Sequence, residues 1–310
     1  MKKIAYFFID DVIWCLRDVA QEKPASIFDN AYFKLLKECH DKWGLTVQLN
    51  LFYRTDFFYG SDEFTLSEVP DTYKAEFEAN SDWLKFAFHA KQEFPDYPYV
   101  NGEYEDVKKD YMLIMNEIKR FAGEGSISKA VLPHWLPISR EACLAMRDCG
   151  AVFMCPSFGP TKEYDGDPNS LPYGHSFRLL QNRQPETRLY TRNSANKAIL
   201  SSICAYNHIS QEEAEKYLHT NTSIVDEGTG LRYRQFGGGP CLNLYSVEDI
   251  ERILKEEIAK GHEYIGCGNH EQYFYPDYFA YQPDMADKFR IMAKTLCEAG
   301  YTFITAEEFE

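Results

Sequence analysis

Nothing in this 310-residue sequence approaches the run of about 20 apolar residues that a membrane-spanning helix needs. The apolar stretch at residues 4–9 is broken by Asp10 and Asp11, short of the about 7–15 residues of an export signal. The expectation is a soluble, cytoplasmic protein. Positive charge is also scarce: 33 Lys and Arg stand against 48 Asp and Glu, a net charge of −15. Such a balance gives no general affinity for phosphate backbones or anionic lipid, and so excludes nucleic acid and membranes as expected partners. The nine cysteines are odd in number and include no CxxC pair. Reduced, buried thiols are therefore expected, not a disulfide framework or a Cys-rich zinc site. Dinucleotide fingerprint, phosphate loop and nucleophile elbow are all missing; Gly237, Gly238 and Gly239 run into Pro240, not into Lys-Ser/Thr.

What is present is a globular composition, 45% hydrophobic and 26% charged, with 22 Tyr and 22 Phe but only 4 Trp. That allows a large core, and it leaves open whether the aromatic side chains fill it or stack on a ligand. Short β-rich runs alternate with amphipathic helical patterns. Strands are predicted at residues 4–9, 45–53, 83–88, 129–132, 151–155, 264–268 and 301–304. In the second, Val47, Leu49, Leu51 and Tyr53 alternate with Thr46, Gln48 and Asn50. A helix from Asn30 places Tyr32, Leu35, Leu36, Cys39 and Trp43 on one face and stops at Gly44. Another aligns Val107, Tyr111, Ile114, Ile118 and Phe121, and further helices span 139–150, 246–261 and 284–300. The rhythm breaks over 157–241, where Ser210 and Glu213 form one capping box; this reads as an insertion or elaborated loop within a single domain of residues 1–310. Repeated strand–helix units imply an α/β fold with a parallel sheet closed, or nearly closed, into a barrel, the alternative being an open doubly wound sheet. The barrel accommodates the polar clusters that follow several predicted strands.

Four such strand ends carry residues suited to metal binding or proton transfer. Asp10 and Asp11 end the first; adjacent carboxylates can serve one cation and one proton, or simply cap a turn. His89 ends the third, with Glu93 four residues on, a spacing that faces one way on a helical turn. Both are competent zinc ligands, and equally a core histidine beside a solvated glutamate. His134, followed by Trp135 and flanked by Pro133 and Pro137, is either a further ligand or part of a packed loop. His270 follows the strand at 264–268 and heads a polar–aromatic run of Glu271, Gln272, Tyr273, Phe274 and Tyr275. It suits a general acid working near neutral pH, or a capping role.

These residues resemble the polysaccharide deacetylase (NodB-homology) superfamily. The resemblance rests on Asp10 and Asp11 after the first strand, the histidine turn in WLKFAFHAKQEFPDYPY and the late histidine in HEQYFYPDY. It implies a distorted (β/α) barrel, usually of seven strands, with one divalent cation. It also implies Asp10 as catalytic base, Asp11 and His89 as metal ligands and His270 as general acid. Glu93 stands where the family has a second histidine, which makes the expected site more anionic and extends the metal choice from zinc to manganese, iron or cobalt.

The expected function is metal-dependent hydrolysis of an N- or O-acyl group on a small or oligomeric carbohydrate. Asp11, His89, Glu93 and His134 are the candidate ligands. Trp135, Glu271, Tyr273 and Tyr275 are candidate substrate contacts, and Tyr97, Tyr99, Phe274 and Tyr278 flank them. Tyr173, His175, Tyr190 and Tyr206 of the insertion are candidates for a cleft wall. The competing readings are a metal-independent glycoside hydrolase using two of these carboxylates and a carbohydrate-binding protein without turnover.

Overall fold

The computed structural model describes residues 2–55, 63–93, 98–99, 102–136, 138–155 and 216–310. Strand β1 (Ile4–Val12) is apolar at all positions but its two aspartates, as a parallel strand covered on both faces must be. One edge of β1 pairs with β9 (Tyr264–His270), from Ile4 opposite Tyr264 to Asp10 opposite His270. Its other edge pairs with β10 (Thr302–Phe303) at Ile4 and Ala5 and with β2 (Val47–Phe52) from Phe7 to Val12. β3 (Leu84–Ala90) lies beyond β2 and β8 (Gly238–Cys241) beyond β9, which completes a six-stranded parallel sheet. A second sheet orders β4 (Ala130–Val131), β5 (Phe153–Met154), β7 (Arg232–Tyr233) and the antiparallel β6 (Ile224–Val225).

The fold is α/β with a parallel sheet, as the alternating pattern implied. The seven strands expected in one ring are instead divided between two ladders among the described residues. β3 and the approach to β4 meet at a single bridge, Phe86 with Ile127, and through the Ser128 amide on the Phe86 carbonyl at 2.8 Å. With only two residues, β4 is too short to extend that contact into a ladder. Residues 216–241, read as the end of an insertion, supply β6, β7 and β8 to the two sheets. The capping box at Ser210 and Glu213 and the aromatic positions of the insertion lie outside the described residues.

Helix ends follow the local chemistry. α1 (Trp14–Glu22) leaves β1 at once. In α2 (Ala31–Trp43) the Asn30 side chain accepts from the Tyr32 and Phe33 amides, and Gly44 closes the helix at φ 69°, a left-handed conformation that glycine adopts without strain. After α3 (Lys74–Ala79), α4 (Tyr104–Phe121) buries the five residues of its predicted stripe. Ser139 and Ser246 cap α5 (Arg140–Asp148) and α6 (Val247–Ala259), and α7 (Met285–Glu298) packs Phe289 edge-on against Phe7 of β1. None of the described helices is long and apolar enough to cross a membrane.

β2 departs from the simple meaning of alternation. All six of its residues are buried, so Gln48 and Asn50 turn into the interior between the two sheets, where Tyr6, Phe236 and Phe309 also lie. A close backbone approach occurs at Gly266 of β9, where a Cβ would stand 1.7 Å from the Phe236 carbonyl oxygen and 2.7 Å from that of Gly237. Backbone cannot yield as a flexible side chain can. Gly266→Ala should therefore lower the unfolding free energy by at least about 2 kcal/mol, whereas Gly237→Ala, with nothing within 4 Å of its Cβ, should stay within about 0.5 kcal/mol of the parent. Urea titrations of the two variants check this, and equal stability would refute the packing described.

Candidate metal centre

Two irregularities in the parallel ladder place the site. Ile9 faces Leu49 and Val12 faces Leu51, so Asp10 and Asp11 together stand against the single residue Asn50. Leu51 faces Phe88 and Phe52 faces Ala90, which makes His89 the extra residue of β3. An inserted residue kinks its strand and re-aims its side chain. Asp11 does this with φ 61°, which ordinary residues adopt only at a cost of about 1–3 kcal/mol. The strand was expected to stop at Asp10; it continues to Val12, and this bulge separates the two carboxylates. Trp135 and Leu136, directly after His134, also have positive φ, at 65° and 66°. Of the four non-glycine residues in this conformation among those described, three thus adjoin one point in the molecule.

At that point three electron-pair donors meet. His89 Nδ1 is 2.6 Å from the Leu132 carbonyl, which can only accept, so Nδ1 carries the proton and Nε2 presents its lone pair. His134 Nε2 donates to the Glu93 backbone carbonyl at 3.0 Å, which leaves the Nδ1 lone pair facing inward. The two inward nitrogens are 3.1 Å apart, and Asp11 Oδ1 is 3.1 Å from one and 3.3 Å from the other. All three side chains are buried. Such a set is stable only with a positive charge among its members, either a shared proton or a metal ion. Burial pushes Asp11 up, yet with a shared proton on the inward side of His134 or His89 the two imidazoles hold it well below the usual carboxylate range. Burial lowers both imidazoles; at His89 the carboxylates of Asp10 and Asp11 outweigh it and the net shift is upward, while His134 remains lowered.

The donor set fits a metal. With bonds of about 2.0–2.1 Å, ligand atoms at octahedral to tetrahedral angles lie about 2.8–3.4 Å apart, a range that contains the observed 3.1–3.3 Å. Two imidazoles and a carboxylate suit zinc, and also iron, cobalt or manganese. A second group, His219, Glu257 and His262, brings donors within 4.8 Å of one another. There the imidazoles stack at 3.6 Å with planes 9° apart. Lone pairs lie in the ring plane, so rings stacked in this way cannot both point at one ion.

The surroundings of the three donors distribute the other expected residues. Glu93 stands outside the group: its Oε1 is 3.9 Å from the Nε2 of His134 that is bonded to its own carbonyl. Residues 91–93 form a bend and not a helical turn, so the i, i+4 spacing from His89 does not bring the carboxylate onto the same centre. Gln272 links it instead, with Nε2 donating to Asp11 Oδ2 at 2.9 Å and to Glu93 Oε2 at 3.3 Å. Asp10 accepts from Asn50 Nδ2 at 2.6 Å, and burial raises its pKa although His89 and His270 oppose that. His270 Nδ1 donates to Asn243 Oδ1 at 3.1 Å, with Cys241 Sγ 3.8 Å away. Gln272 stood in the polar–aromatic run after His270 without a role of its own, and Asn243 was not singled out from the sequence; polar residues after buried strands were the available signal.

The expected substrate contacts divide differently. Trp135 is half-buried with its ring beside His134. Tyr273 and Tyr275 are buried, one against Tyr278 and the other against Trp14, so both belong to the core and offer no face to a sugar. Tyr99 and Tyr278 are buried too, and Tyr97 lies outside the described residues. Glu271 is fully buried, its carboxylate accepting from the Ile13, Trp14 and Cys15 amides at 2.7–2.8 Å. It caps α1, which has no cap of its own, and ties the end of β9 to the end of β1. A substrate contact is not open to it.

Comparison with known proteins finds matches among solved structures alone. No protein-family model and no curated protein matches the chain. Among solved structures it is similar to the Xyl-CE4 domain of a multidomain xylanase from the hindgut metagenome of Trinervitermes trinervoides, at 10% identity and a TM-score of 0.42 over 100% of this chain and 90% of that one. It is similar to a family 4 acetyl xylan esterase from Clostridium thermocellum in complex with a cobalt ion, at 11% identity and TM-score 0.41, with 99% and 90% covered. A 4-alpha-glucanotransferase from Thermococcus litoralis aligns at 10% identity and TM-score 0.49, over 100% of this chain and 40% of that one.

Isothermal titration with zinc or cobalt should find one tight site. Asp11→Asn, His89→Gln and His134→Gln should each weaken it by more than about 100-fold, and Glu93→Gln by about tenfold, the low end of the range for an outer partner. Loss with Glu93→Gln and retention with His134→Gln would reverse the assignment. Separately, Glu271→Gln should lower unfolding stability by about 2 kcal/mol through its buried amide partners; calorimetric melting that matches the parent would refute the capping role.

Proposed function

We propose that the chain removes an N- or O-linked acyl group from a carbohydrate by hydrolysis, with one divalent cation held by Asp11, His89 and His134. The observation that carries this reading is the convergence of three electron-pair donors beside a second carboxylate, Asp10, which lies in register with His270 on the neighbouring strand. The carbohydrate class comes from the resemblance of the His89 and His270 segments to polysaccharide deacetylases. A cation in this position supplies Lewis acidity, polarising the acyl carbonyl and making water more acidic.

The chain's own residues account for the protons. Asp10 takes one from water as the water oxygen bonds to the acyl carbon. The scissile C–N or C–O bond then breaks, its electron pair leaving on nitrogen or oxygen. His270, as imidazolium, protonates that leaving atom. Because its Nδ1 is bonded to Asn243, the proton departs from Nε2. Exchange with solvent returns both groups to their starting states, and the products are a carboxylic acid and the free amine or hydroxyl.

Acetate release from acetylated xylo-oligosaccharides and chito-oligosaccharides tests the reading. Release should stop on chelation and return with zinc or cobalt. Asp10→Asn should lower kcat by about 10³-fold and His270→Ala by about 10²-fold, the range of a positioned base or acid, with cation affinity kept. Turnover that survives both chelation and Asp10→Asn would exclude it.

A further inference from the structure

Beneath Asp10 a chain of buried polar side chains runs into the interior between the two sheets. Asn50 Nδ2 donates to Asp10 Oδ1 at 2.6 Å, and Gln48 Nε2 donates to Asn50 Oδ1 at 2.7 Å and to the Ala130 carbonyl at 3.2 Å. Gln48 Oε1 accepts from Tyr6 Oη and from Ser128 Oγ, each at 2.6 Å. Tyr6, Gln48, Asn50 and Ser128 are each no more than 2% exposed. Apolar residues could fill the same space without a desolvation cost, so buried amides there point to a task beyond packing.

The direction of each bond follows from one backbone group. The Ala130 carbonyl can only accept, so the Gln48 atom facing it is the nitrogen, and its oxygen faces the two hydroxyls. The second hydrogen of that nitrogen meets Asn50, which must present its oxygen, and so turns its own nitrogen towards Asp10. Orientation passes from the main chain through two amides to one carboxylate oxygen. Asn50 is also the residue that stands opposite the Asp10–Asp11 bulge.

We infer that Gln48 and Asn50 are positioning residues: they hold Asp10 Oδ1 as a permanent acceptor, fix the carboxylate's rotamer beside the metal centre, and leave Oδ2 as the oxygen that receives a proton. This rests on the reading of Asp10 as the base. A misplacement of about 1 Å at such a group lowers turnover by about 10²-fold. The effect should fade with distance from Asp10, whatever each variant does to stability.

The test measures kcat, KM and zinc affinity for Asp10→Asn, Asn50→Leu, Gln48→Met and Tyr6→Phe, with crystal structures of the parent and of Asn50→Leu. Asn50→Leu is expected to lower kcat by about 10²-fold, Gln48→Met by about tenfold and Tyr6→Phe by less, with KM and zinc affinity within about twofold. In the parent, Asp10 Oδ1 should lie on Asn50 Nδ2, and in Asn50→Leu the carboxylate should have rotated. If Asn50→Leu does not fold, Gln48→Met and the gradient to Tyr6→Phe decide the matter. Parental kcat in Asn50→Leu or Gln48→Met, with Asp10→Asn inactive, overturns the positioning role alone. Full activity in Asp10→Asn overturns it together with the reading of the site.

Discussion

Two imidazoles whose outer nitrogens are committed to backbone carbonyls have no proton left for the space between them. Here that space also contains a carboxylate, so three lone-pair donors about 3 Å apart need a positive charge among them, a shared proton or a metal ion. Much of the surrounding structure serves to hold them there. Leu132 and Glu93 provide the two carbonyls that fix the ring orientations, and Gln272 holds the other oxygen of Asp11. Partners of this kind set the basicity and aim of a ligand as much as the ligand itself does. The left-handed conformations of Asp11, Trp135 and Leu136 are the accompanying backbone cost.

The parallel sheet makes this arrangement available because the ends of β3, β2, β1 and β9 follow one another across it. Strict alternation along flat strands would send Asp10 and Asp11 to opposite faces. The bulge in β1 allows Asp11 to meet the histidines while Asp10 contacts Asn50 of β2. Glu271 reinforces the same corner by joining three amides at the start of α1 to the end of β9. Stability and site geometry therefore share residues at this end of the sheet.

How much of this was legible in the sequence depends on the range of the interaction. Local features were readable: the apolar runs that become β1, β2, β3 and β9, the Asn30 cap, the Gly44 stop and the five-residue stripe of α4 all express short-range rules. Asp10, Asp11, His89 and His270 stood out because each interrupts or ends such a run. The bulges were not readable, since an extra residue is a relation between two strands. The same holds for the i, i+4 spacing of His89 and Glu93, which has meaning only on a helical turn, and Glu93 sits on a bend where its backbone carbonyl contacts His134. Tyr273 and Tyr275 carry both an apolar body and a hydroxyl, so composition could not separate core from binding face. Gln48 and Asn50 followed the pattern of a half-exposed strand, and only the second sheet turns their face into the interior. Asn243 is 27 residues from the histidine that it orients.

The central claim is that Asp11, His89 and His134 enclose a metal ion and Glu93 does not. Anomalous diffraction at the zinc or cobalt edge, from crystals of protein loaded with that metal, tests it most directly. The account predicts one strong peak about 2.0–2.2 Å from Asp11 Oδ1, His89 Nε2 and His134 Nδ1. A peak bound by the Glu93 carboxylate with His134 turned away, or no peak between Asp11 and His89, would contradict it.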